Sequence, residues 1–247
     1  MIKNRRSFII GLKSTILQVK EKQFLRKYKP WGIILFSRNI KSIAQTKKLT
    51  DDIRKIFNDK KYPILIDQEG GRVNRLNNLI DSSNFTGEFF GKLFKKNIKK
   101  FNVYYKIFIN QTCYLLDKIG VNINTVPVLD VRRKNSNNVI GNRSFDSKPK
   151  IVSKIGDYFI DQFHKNNIAT VIKHIPGHGL AKVDSHKSTP IVKSKLKDLN
   201  KIDFLAFKNK KSLFAMTAHI IYQNIDKNFT ATHSKEVIKL IKNKIKF

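Results

Sequence analysis

The amino-acid sequence predicts an α/β fold built on an all-parallel sheet and curled into a barrel. Three observations carry this. Short apolar, β-branched runs alternate with amphipathic stretches in a β-then-α rhythm along the whole chain. Neither a sequence repeat nor a low-complexity linker interrupts the rhythm. Polar residues stand at the ends of at least five of the six apolar runs. A barrel turns every strand end toward one mouth, whereas an open sheet offers a single switch point, so this last observation favours the barrel.

In chain order, strands are expected near Ser7–Gly11, Gly32–Phe36, Ile64–Asp67, Val121–Val126, Ala169–His174 and Leu213–Ala218. Each is a compact apolar run bounded by Gly, Pro, Asn or charge. The amphipathic stretches Ile16–Tyr28, Ile43–Phe57, Tyr104–Ile119, Ile151–His164, Leu196–Lys208 and Ser234–Ile245 read as the helices that follow them. The third unit carries additional loop and helix material from Asn74 to Phe101. Parallel neighbours need crossover connections, and helices on the sheet faces supply them.

With 247 residues and 40% hydrophobic content, the chain can bury one sizeable core, and a single domain over residues 1–247 is expected. Its one cysteine, Cys113, lies in a helical segment, so no internal disulfide is possible; a buried thiol and a reducing compartment are expected. The start is basic, but the apolar run Phe8–Leu12 is too short for a secretory h-region, and no run has the length of a membrane span. A cytoplasmic protein with no membrane partner is expected. The net charge of +32 raises the possibility of nucleic-acid binding. Lysines nevertheless outnumber arginines and are scattered through nearly every segment, with no recognition-helix, RNA-platform or zinc-finger pattern. The charge therefore predicts only nonspecific affinity for polyanions, and no specific nucleic-acid partner.

The chemistry concentrates in KHIPGHGLAKVDSH, Lys173 to His186, which gathers three histidines, a lysine and an aspartate around a Pro-Gly turn after the apolar run 168–172. Polar groups at the carboxyl end of a buried parallel strand are the usual place for an α/β active site. His174, His178, Asp184 and His186 do not suit a metal. A His-x-x-x-His pair meets one ion on a helix, and Pro176-Gly177 breaks any helix there; neither metal nor cofactor is expected. Asp184 and His186 read instead as a dyad. Two apart in an extended segment, they share a side, and the carboxylate orients the imidazole as a general acid and base. Strand three delivers Asp67 and Glu69, then Gly70-Gly71, Arg72 and Arg75; either carboxylate serves a ligand or pairs with an arginine to tie the loop down. Strand four delivers Asn122 and Asn124, then Pro127-Val128-Leu129-Asp130 and the loop Gly141-Asn142-Arg143-Ser144-Phe145, whose arginine offers a fork of donors. His219, after strand six, reads as a wall or packing residue.

The segments PWGIILFSRNI, LIDQEGGRVNRL, VPVLD, VIGNRSF, KHIPGHGLAKVDSH, FAMTAHIIY and ATHSKEVI resemble, in this order and spacing, the bacterial β-N-acetylhexosaminidases of glycoside hydrolase family 3. The resemblance covers nearly the whole chain. It implies a (β/α)8 barrel, represented here by about six βα units, and removal of nonreducing terminal β-linked N-acetylglucosamine, including muropeptide sugars of peptidoglycan recycling, by a monomer. By the same resemblance, Asp67, Arg75, Arg143, Lys173 and His174 bind the sugar, and His186 is the acid and base with Asp184 as its orienting partner. The family's nucleophilic aspartate belongs to a Ser-Asp-Asp segment on the strand after the last helix, Ser234–Ile245, and no aspartate up to Phe247 corresponds to it. The resemblance thus implies the acid/base and sugar-binding half of a retaining site without strands seven and eight. An inactive sugar-binding remnant and a basic nucleic-acid-binding protein are the alternatives.

Overall fold

The structure, a computed structural model, describes residues 4–134, 138–181, 183 and 188–247. Six parallel strands form one sheet: β1 (Arg6–Gly11), β2 (Pro30–Leu35), β3 (Ile64–Ile66), β4 (Ile123–Asn124), β5 (Ala169–Ile175) and β7 (Phe214–Thr217). They lie side by side in chain order, with β1 and β7 at the two edges. Consecutive parallel neighbours always added on the same side are the winding of a (β/α) barrel, and this curled wall is its α/β fold.

The crossovers are α1 (Val19–Tyr28), α2 (Ile43–Phe57), α3 (Gly87–Lys96), α4 (Ile98–Lys118) and α5 (Pro149–Lys165), with α6 (Leu196–Lys201) and α7 (Lys235–Leu240) toward the end. Local chemistry sets where they start. The side chains of Ser42, Thr86, Asn97 and Ser234 accept the amides of Gln45, Phe89, Lys100 and Val237, and Pro149 opens α5. The helices bury apolar faces against the outside of the sheet in one large cluster that includes Leu49, Ile53, Phe101, Leu116, Phe159 and Phe163. Inside the curl, Leu65, Ile123 and Val171 form a second, small cluster, with Trp31, Ile34 and Phe214 packed on it. Leu65, Val171, Trp31, Ile34 and Phe214 line a cleft of about 670 Å³ that also reaches Ile9, Met216 and, near the mouth, Thr125.

Several boundaries differ from the expected ones. Strand four contracts from Val121–Val126 to two residues, and asparagine side chains extend its ties to the neighbouring segment: Asn122 Oδ1 accepts the Ile64 amide at 2.8 Å, and Asn124 pairs with both backbone groups of Gln68 at 3.0 and 2.9 Å. The expected helix Leu196–Lys208 ends at Lys201 and resumes as a 3-10 turn over Phe204–Phe207. It breaks where Asp203 turns inward to Arg133, 2.8 Å away and almost fully buried. The material after Asn74 forms α3, and α4 begins at Ile98 rather than Tyr104. A parallel pair of two-residue strands, β6 (Ile191–Val192) and β8 (Ile221–Tyr222), was not expected at all.

Candidate active site

The carboxyl ends of β3, β4 and β5 converge on one side chain, Lys173 of β5. It is 1% exposed, and its ammonium lies between two carboxylates, paired with Asp67 and, at 2.5 Å, with Glu69. A third contact, at 3.4 Å, reaches Thr125 Oγ1 from the strand between. A buried ammonium is costly unless paired and hydrogen-bonded, and these contacts meet that requirement.

Each carboxylate is then held from its other side. Asp67 accepts the Thr125 hydroxyl at 2.8 Å and the Arg75 guanidinium at 3.3 Å. Glu69 receives both forks of Arg143, Nε at 2.8 Å and Nη2 at 2.7 Å. This bidentate pair joins residues far apart in sequence and fixes the plane of the guanidinium. Burial alone would push both carboxyls up; Lys173, with Thr125 and Arg75 for Asp67 and with Arg143 for Glu69, holds each below the ordinary range instead. Burial likewise works against charge on Arg143, but Glu69 beside it raises the guanidinium above its usual value. Both carboxylates and the Arg143 guanidinium are therefore charged at neutral pH.

Gln68, which the sequence did not single out, and Asn124, expected at the end of strand four, keep this cluster in place. Gln68 is 1% exposed; its Oε1 accepts the amides of Arg75 at 2.7 Å and Leu76 at 3.1 Å, folding the loop so that the Arg75 side chain returns over Asp67. Asn124 clamps the backbone of the same Gln68. The Arg143 loop rests on α3, where two glycines one turn apart admit its backbone. A Cβ at Gly87 would stand 2.1 Å from the carbonyl oxygen of Arg143, and one at Gly91 would stand 1.6 Å from that of Phe145.

Of the residues expected from sequence, Asp67, Arg75 and Lys173 come into direct contact, and Arg143 joins through Glu69. Glu69 ties down not its own loop but the arginine of the next one. His174 stands on the same rim but turns to Asp130, whose Oδ2 is 2.7 Å from its Nδ1. His178 is buried, its ring 5.5 Å from that of His174. Beyond β7, His219 meets His233 with ring centroids 5.6 Å apart. Asp184 and His186 lie outside the described residues. The geometry is a ring of charged donors and acceptors around one rim, suited to a polar, hydroxyl-rich ligand.

A curled parallel wall carrying its charged groups at the strand ends defines a (β/α)-barrel protein with its site at the C-terminal mouth. The chain belongs to glycosyl hydrolase family 3: the model of that family's N-terminal domain matches residues 12–247. It is 33% identical over 221 residues to "Beta-hexosaminidase A" of Pseudoalteromonas piscicida, covering 86% of this chain and 36% of that protein. It is 34% identical over 222 residues to "Beta-hexosaminidase" of Hydrogenovibrio crunogenus, covering 88% of this chain and 61% of the relative. Among solved structures, NagZ from Neisseria gonorrhoeae in complex with N-trifluoroacetyl-D-glucosamine superposes with a TM-score of 0.90 at 28% identity, covering 98% of this chain and 72% of that one. The chain thus spans between 36% and 61% of the length of the first two relatives.

Proposed function

We propose that the protein is a β-N-acetylhexosaminidase that removes nonreducing terminal β-linked N-acetylglucosamine from small amino-sugar or muropeptide substrates in peptidoglycan recycling. The observation that carries this reading is the Lys173 cluster: five charged side chains from three strand ends, on a fold that superposes on a sugar-bound NagZ. Asp67 and Glu69 supply acceptors, Arg75, Arg143 and Lys173 supply donors, and a sugar's hydroxyls and acetamide need both.

In this reading His186 is the acid and base. Oriented by Asp184, it protonates the departing glycosidic oxygen while a carboxylate attacks the anomeric carbon; it then takes a proton from the water that releases the glycosyl-enzyme. The family places that nucleophile on the strand after Ser234–Ile245, and none of the carboxylates assigned here takes its role. The proposed setting is the cytoplasm and the proposed state a monomer; among the described residues no helix is long and apolar enough to cross a membrane.

The test is hydrolysis of 4-nitrophenyl N-acetyl-β-glucosaminide, with His186→Ala as the control, alongside calorimetry with N-acetylglucosamine. Release that vanishes in the variant supports the enzyme. Heat without release leaves a sugar-binding protein without turnover, and a folded chain giving neither overturns the proposal.

A further inference from the structure

Asp130 touches none of the charged residues around Lys173, yet it joins three parts of the rim. Its side chain is completely buried just after β4. Oδ2 lies 2.7 Å from Nδ1 of His174. Oδ1 accepts two backbone amides, that of His174 at 3.2 Å and that of His178 at 2.6 Å. Its main-chain carbonyl accepts the hydroxyl of Ser144, the residue after Arg143, at 2.7 Å. One aspartate thus meets the histidine of the rim, the Pro176–Gly179 turn and the Arg143 loop. The turn is fixed from its other faces as well: the Tyr222 hydroxyl donates to the Gly177 carbonyl, and a Cβ at Gly179 would stand 1.9 Å from the carbonyl oxygen of Val131.

We propose that Asp130 is a positioning residue of the sugar site, keeping a proton on Nδ1 of His174 so that Nε2 is the ring nitrogen that meets the ligand, while pinning the Pro176–Gly179 turn. A carboxylate suits this place because all three partners are donors and an ionised carboxyl only accepts. A carboxylate or carbonyl that bonds one imidazole nitrogen is the general device for fixing a ring's tautomer. The role in sugar binding rests on the function proposed above; the tautomer does not.

Asp130→Asn separates the two. Its single side-chain oxygen can serve the two amides, which turns its NH2 toward Nδ1, where an acceptor is then required. The Nδ1 proton of His174 is expected to move to Nε2, which long-range 1H–15N spectra detect, with His174→Gln identifying the signals. The fold, by circular dichroism, is expected to persist. Affinity for N-acetylglucosamine, by calorimetry, is expected to fall about tenfold to a hundredfold, the range for loss of one hydrogen bond to a charged group. A proton that stays on Nδ1 in the variant overturns the proposal, as does a moved proton with unchanged sugar affinity. Should the wild type bind no sugar, the function above fails while the spectra still decide the tautomer. Should the variant not fold, the wild-type spectrum decides: an unprotonated Nδ1 at neutral pH overturns the proposal.

Discussion

Lys173 shows how one residue organises a site. Its ammonium separates Asp67 and Glu69, and without it two carboxylates would face each other at the rim with only the arginines to compensate them. Lys173→Met, which keeps the aliphatic stem, is expected to cost about 3–5 kcal/mol in urea unfolding, as for other buried pairs broken on one side. Adding Glu69→Gln is expected to return part of that loss, because it removes one of the stranded charges; no recovery would mean that packing, not charge, sets the cost. Cys113 is the opposite kind of residue, 2% exposed on α4, with burial pushing its thiol up to about 12. It is expected to resist iodoacetamide in the native protein and to react once urea unfolds it, as mass spectrometry would show. The clustering of ionisable residues at strand ends made the rim legible in the sequence, including Asp67, Arg75, Arg143, Lys173 and His174. The pairing was not legible: Glu69 skips Arg72 and Arg75 nearby for Arg143, a choice made by the way β3 and the loop after β4 face each other.

At the scale of elements, α3 does more than connect strands. Gly87 and Gly91 form a side-chain-free strip into which the backbone of residues 143–145 is laid, so the helix sets the height of Arg143 above Glu69. Gly91→Ala places a methyl group on the Phe145 carbonyl, and overpacking of this kind typically costs about 1–3 kcal/mol. Thermal unfolding is expected to show that loss, and calorimetry a weaker sugar affinity because Arg143 is displaced. Ser42→Ala is the contrasting case. The Ser42 hydroxyl caps α2 by accepting the Gln45 amide and bonds none of the charged side chains around Lys173, so the change is expected to cost about 1 kcal/mol with affinity unchanged. Equal effects of the two on affinity would sink the positioning role of α3. The helix Ile43–Phe57 was fully legible because its cap and periodicity agree. The short pair β6 and β8 was not, since two residues cannot display a period of two. Asp203 also hid the break before the 3-10 turn: a polar residue in an amphipathic helix reads as solvent-facing until Arg133, 70 positions away, is seen to claim it.

For the whole molecule, the β-then-α rhythm made the parallel sheet legible and the polar strand ends pointed to a barrel, whereas the net charge of +32 says nothing about fold and much about stability in acid. Asp67, Glu69 and Asp130 are all held below the ordinary carboxylate range by the cations and donors around them. A group lowered in the folded state stabilises it above its unfolded value, about 4, and loses that contribution as pH falls toward the folded value. His164 and His178 are also held low, by burial, so their contribution begins to fade earlier, below about pH 6.5, where the unfolded histidines take up protons. Asp203 acts in the opposite sense: burial raises its carboxyl, and protonation relieves that cost. Repulsion adds to the loss, because neutralising the 18 carboxylates leaves 50 Lys and Arg, taking the charge from 50 − 18 = +32 to +50 before any histidine is counted. Urea midpoints measured from neutral pH downward are therefore expected to decline gently through the histidine range and steeply below about pH 4. Added salt is expected to recover part of the steep phase, the part due to repulsion among exposed charges, and little of the part due to buried pairs. A midpoint unchanged below pH 4 would show that the Lys173 and Asp130 clusters contribute nothing to folding in their ionised form. A decline that salt abolishes completely would assign it to surface repulsion and not to the rim.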